Sequence, residues 1–160
     1  MSLWLLSKIY FLSFLLINTD LSLTLKSWGT NLRSSGKKKA DSGLLLNDTY
    51  TVLQYKAKSS MASKHNLRGD FEKMSKSAAN NIEKMKNEYG DPKVTLVQIS
   101  GLCLDFYLVD YYLDGPIYRC IHFEQCFLPD NRNDYGRLLK LYKGLGKVSA
   151  VVEQVIKHYI

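Results

Sequence analysis

The 160-residue sequence lacks the residue patterns by which common enzymes announce themselves. It has no phosphate-binding glycine loop, no HExxH pair, no nucleophile elbow and no Glu-x-x-Arg pair. Histidine and cysteine are scarce, with three of each. His65, His122 and His158 lie far apart in the chain. Cys103, Cys120 and Cys126 form no CxxC and have no paired histidine spacing. Zinc chemistry is thereby disfavoured, and neither a metal nor a cofactor is expected. No internal repeat is present, which argues against a solenoid. No apolar run is long enough for a confident membrane span. Acid is also in short supply, 15 Asp and Glu against 22 Lys and Arg, so the net charge is +7 and the sequence pI about 9.2. That balance favours anionic partners, nucleic acid or a membrane surface. The basic residues are scattered apart from Lys37-Lys38-Lys39. The length suits about one domain with a real core.

Residues 1–22 read as a signal peptide or anchor. Lys8 precedes the short apolar core Ile9–Ile17, and polar Asn18-Thr19-Asp20 ends it. The expectation is a secreted protein, touching membrane only through this segment. Only Lys8 among residues 1–17 is charged, so the basic character survives its removal. The sequon Asn47-Asp48-Thr49 agrees with a secretory route. Residues 23–63 form a poorly defined stretch. Leu21–Leu25 and Tyr50–Tyr55 alternate as strands do, around the flexible basic loop Ser34–Lys39. Residues 64–160 read as an α+β domain.

Within it, Asp70–Tyr89 predicts a helix. Phe71, Met74, Ala78, Ile82, Met85 and Tyr89 recur at spacings of three and four and make one apolar stripe. Asp70 suits an N-cap, and Gly90 with Pro92 suits the stop. Lys73, Lys76, Asn80, Lys84 and Asn87 make the opposite face, suited to solvent or to phosphates. A second helical region, expected to break at Gly144-Leu145-Gly146, carries Leu138, Leu139 and Tyr142 on one short apolar face. Val148, Val151, Val152, Val155, Ile156 and Tyr159 make another.

Between the helices, Val94–Phe127 predicts a long hairpin turning at Leu113-Asp114-Gly115-Pro116. Strand side chains alternate, which puts Leu102, Leu104, Phe106, Leu108, Ile117, Ile121 and Phe123 on one apolar face. Asp105, Tyr107, Val109, Tyr111, Tyr118, His122 and Glu124 fall on the other, which either lines a polar cleft or simply meets water. In this register Cys103 and Cys126 lie opposite each other, where a bridge is conceivable.

Several of these segments resemble the N-terminal half of ribosome-inactivating proteins, the rRNA N-glycosylases. Pro92–Ile99 is similar to one of their early strands. Asp105-Phe106-Tyr107-Leu108-Val109-Asp110-Tyr111 resembles their Asn-Leu-Tyr-Val-x-Gly-Tyr strand. Tyr118–Phe123 is similar to the aromatic strand that follows it, Asp134–Leu138 to their Tyr-x-x-Leu segment, and Gly144-Leu145-Gly146 to the Leu-Gly before the next helix. The resemblance implies a secreted toxin or defence hydrolase with rRNA or the ribosome as partner. It implies that Tyr107 and Tyr135 bind the target adenine between their rings, as stacking on aromatic faces holds an extruded base. The sequence departs from the family pattern in three places. Asp110 stands where the family has Gly, the segment before Tyr135 omits a helix, and the chain ends before the helix that carries the catalytic Glu and Arg. Weak or absent activity is therefore expected, and catalytic residues are not assigned. The alternative is a small secreted binding or effector protein without enzymatic activity. The expected fold is α+β, a mixed or antiparallel sheet with a long Tyr-rich hairpin, backed by two helical regions.

Overall fold

The computed structural model describes residues 23–27, 42–46, 49–58, 64–112, 117–131 and 133–157. The predicted signal segment, the Lys37–Lys39 loop, the hairpin turn at 113–116, and Asn47 of the sequon lie outside them. The fold is α+β. Six strands, β1 (Leu23–Ser27), β2 (Ser42–Leu46), β3 (Tyr50–Lys58), β4 (Lys93–Ser100), β5 (Cys103–Tyr112) and β6 (Ile117–Phe127), form one mixed sheet in chain order. All neighbours are antiparallel except β3 and β4, which run parallel. Parallel neighbours need a crossover, and helix α1 (Lys64–Tyr89) supplies it. Helix α2 (Tyr135–Lys157) follows β6. Because β3 pairs with β4, no break in the sheet marks the division expected at residue 63.

The two helices lie on opposite faces of the sheet. Phe71 of α1 meets Tyr107, while α2 lies against Glu124 and Cys126 of the other face. On the α1 side, Val52, Val94, Leu96 and Val109 are buried with Met74, Ala78, Ile82 and Met85. On the other side, Leu53, Val97, Ile99, Leu104 and Phe106 are buried, and α2 contributes Leu141, Val148, Val152 and Val155 to the core. Strand β4 is covered on both faces, so Val94, Thr95, Leu96, Val97 and Ile99 are buried whichever way they point. Side-chain bonds also tie α1 down: Gln98 Nε2 donates to Leu67 O at 2.8 Å, Gln54 Nε2 to Ser77 Oγ at 3.2 Å, and Asn81 to the carbonyl of Thr51.

The predicted apolar stripe of α1 is the buried one, and its solvent face carries the expected Lys73, Lys76, Asn80, Lys84 and Asn87. The helix stops at Gly90, whose φ of 70° favours glycine. Its start differs. The helix begins at Lys64, so Asp70 is not an N-cap but sits in the second turn, where its carboxylate makes a buried ion pair with Lys56 at 3.1 Å. Helix α2 is also unlike its expectation, since it runs unbroken through Gly144-Leu145-Gly146. A Cβ on Gly144 would lie 2.3 Å from Cys126 Sγ, so this glycine lets the helix settle on the sheet. Strand β2 has no counterpart in the sequence reading.

Candidate functional site

The β5–β6 hairpin carries most of the chemistry. Its register pairs Tyr111 with Tyr118 and Tyr107 with His122, as alternation requires. A bulge at Phe123 then shifts the register, so Phe106 pairs with Glu124 and Leu104 with Cys126. Glu124 consequently leaves the face of Tyr107 and points to the α2 side. There Lys147 lies 3.0 Å away and holds the Glu124 carboxyl below its ordinary range. The same shift puts Phe127 opposite Cys103, and all three cysteines are free thiols.

Across the α1 face, Lys56, Gln98, Asp105 and Gln125 are successive register partners on β3 to β6. They form a polar row beside the N-terminal turns of α1, at the ends where the parallel strands finish. Asp105 is its centre. His122 Nε2 lies 3.1 Å from Asp105 Oδ1, Gln125 Nε2 donates to the same oxygen at 2.7 Å, and the Cys103 thiol reaches Oδ2 at 3.7 Å. Tyr107 packs between Phe71 and His122, with ring centroids at 4.6 Å and 4.9 Å. Burial first, then the Asp105 charge, raises the Tyr107 hydroxyl above its ordinary pKa. The same two causes push the Cys103 thiol up to about 11.

This cluster can orient an imidazole against a carboxylate, the arrangement used for proton transfer. It holds Cys103 in the wrong state for attack, because the thiolate is the nucleophile. Among the described residues, no cluster of His, Cys, Asp and Glu could hold a metal ion. Of the face that the sequence left open, cleft or solvated surface, α1 covers the β3–β5 part and leaves Tyr107 and Tyr111 half-buried, while Tyr118, His122 and Gln125 of β6 meet water. Alternation shows which residues share a face but not what covers it.

Tyr107 and Tyr135 are not brought together. Tyr107 lies beneath α1, whereas Tyr135 opens α2, which packs on the opposite side of the sheet, and is 71 % exposed. The preceding Asp134 caps this helix, its Oδ1 accepting from Arg137 N at 3.1 Å.

The short apolar face expected from Leu138, Leu139 and Tyr142 is present on α2, is lengthened by Tyr135, and is exposed. Tyr135, Leu138, Leu139 and Tyr142 are 71 %, 51 %, 56 % and 68 % exposed, and follow each other at i, i+3, i+4 and i+7. They form a second apolar stripe on α2, turned away from the sheet. Beyond them, the first residues of β6 are exposed, including Ile117, Tyr118 and Ile121. No protein-family model matches the chain, and neither the curated proteins nor the solved structures yield a match.

Proposed function

We propose that this is a binding protein whose contact surface is the outward side of the first two turns of α2. The observation that carries this reading is the stripe of Tyr135, Leu138, Leu139 and Tyr142, left exposed on a helix whose other side is already packed. Contiguous exposed apolar side chains rimmed by polar ones mark contact sites more often than single exposed ones do. Export of the chain, expected from Lys8 and Ile9–Ile17, belongs to the same proposal. A photo-reactive amino acid placed at Tyr142, in the cells that make the protein, tests the surface. Adducts are expected at Tyr142 and not at Lys73 on the solvent face of α1. Equal adduct yields at the two positions would sink the proposal.

A second reading, an adenine N-glycosylase acting on rRNA, draws its support from the β5–β6 hairpin, where the segments resembling ribosome-inactivating proteins pair as neighbours. In this reading Tyr107 would hold the base without Tyr135, and Asp105 is the carboxylate on its face. Glycosidic cleavage needs charge stabilisation aimed at the developing cation. The expected outcome is no depurination at a rate typical of that family. Aniline treatment of rRNA after incubation with the protein reads this directly, and a specific fragment at low protein concentration would reverse it.

A further inference from the structure

We infer that the exposed stripe of α2 docks on an anionic lipid surface; the inference rests on the binding reading above and names its partner. Three observations select a bilayer. First, the stripe combines two leucines with two tyrosines. Tyrosine is the residue type whose ring settles at headgroup level, with its hydroxyl kept wet. Second, Lys140 and Lys143 follow at i and i+3 and line one flank of the stripe, both exposed, while Lys147, next in the row, is paired with Glu124 at 3.0 Å. The basic residues of the whole helix are Arg137, Lys140, Lys143, Lys147 and Lys157, against Glu153 alone. Apolar contact with a lysine row beside it is the layout of a helix lying in a membrane interface. The lysine stems extend the apolar contact while the ammonium groups reach the headgroups. Third, the net charge of +7 draws the protein towards an anionic surface before contact.

The same observations disfavour other occupants. A second copy, packed stripe to stripe with the helices antiparallel, would bring two lysine rows together, and like charges at a contact oppose it. A nucleic-acid backbone would meet the lysines but leave Leu138 and Leu139 uncovered. Arg137 does not join the lysine row. Its guanidinium is held between Asp130 at 3.4 Å and Asp134 at 3.2 Å, at the end of the loop. No described helix is long and apolar enough to cross a membrane. The stripe spans two turns, about 12 Å of helix, so the docking is shallow and reversible.

Co-sedimentation of the full chain with vesicles tests this. Phosphatidylserine–phosphatidylcholine vesicles are compared with pure phosphatidylcholine vesicles, at low and high salt. The wild type is expected to bind the anionic vesicles and to release at high salt. Lys140→Ala with Lys143→Ala should weaken that binding about twenty-five-fold, at about fivefold per lysine. Leu138→Ser with Leu139→Ser should weaken it about tenfold or more. Both leucines are half exposed, so the fold is expected to survive, as a melting curve will report. If it does not, Tyr135→Ser with Tyr142→Ser makes the same test. Equal binding to neutral and anionic vesicles overturns the inference. So does unchanged binding by both variants, which would put the attachment in the N-terminal apolar segment. Adducts from Tyr142 to a protein, with no vesicle binding, overturn the lipid partner and leave the binding reading standing.

Discussion

At the scale of single residues, the sharpest test is the contact between Gly144 and Cys126. Alanine is the better helix former by about 1 kcal/mol, which on its own favours Gly144→Ala. Against that, the new Cβ would stand 2.3 Å from a buried sulfur. Overpacking of this kind costs about 1–3 kcal/mol, so the substitution should destabilise. In a Cys126→Ala background the obstacle is gone, and the same substitution should become neutral or stabilising. A denaturant double-mutant cycle measures the sign change. Phe106 and Tyr107 make a second comparison. Phe106 is fully buried, and Phe106→Ala should lower the unfolding free energy by about 3–5 kcal/mol. Tyr107→Phe keeps the ring against Phe71 and His122, so its effect on the same melts should be near zero. The opposed burial of these two neighbours was legible from alternation alone. The position of Glu124 was not, because the extra residue of a bulge leaves no mark on apolar periodicity.

At the scale of elements, α1 was legible because its buried stripe is continuous from Met74 to Met85. Its first six residues were not, since Lys64–Gly69 repeats no apolar pattern, and Asp70 looked like a cap when its partner Lys56 was unknown. That ion pair joins β3 to α1, with both side chains under a tenth exposed. Lys56→Met alone takes a cation away from a buried carboxylate and should cost about 3–5 kcal/mol. Lys56→Met with Asp70→Leu removes both charges and should recover most of the loss in the same melts. The continuity of α2 was illegible for a related reason. Two glycines two residues apart look like a break, and only one of them has a steric role. Gly146 has open space where a Cβ would go, so Gly146→Ala should stabilise by about 1 kcal/mol, opposite in sign to Gly144→Ala. The outward stripe of α2 was half visible as Leu138, Leu139 and Tyr142. Its exposure depended on which side of the helix the sheet would claim.

For the whole molecule, the thiols couple stability to alkaline pH. Burial pushes Cys103 and Cys126 up to about 11, against an ordinary thiol value of 9.0. The folded state therefore keeps protons that the unfolded chain gives up. The resulting stability is intact below about 9 and is lost as pH rises towards 11. Urea midpoints should fall across that window, and less so in a Cys103→Ser, Cys126→Ala variant; parallel curves would refute it. The sheet order carries a different consequence. From β2 onward, every strand pairs with the strand made just before it. No strand must be threaded between two that have already joined, and the one long detour, α1, is a helix that can form locally. Pairing between near neighbours keeps loop closure inexpensive and folding fast. A chain emerging from its amino end could thus knit this sheet one row at a time, casting off at β6 as the last helix turns back across the finished rows.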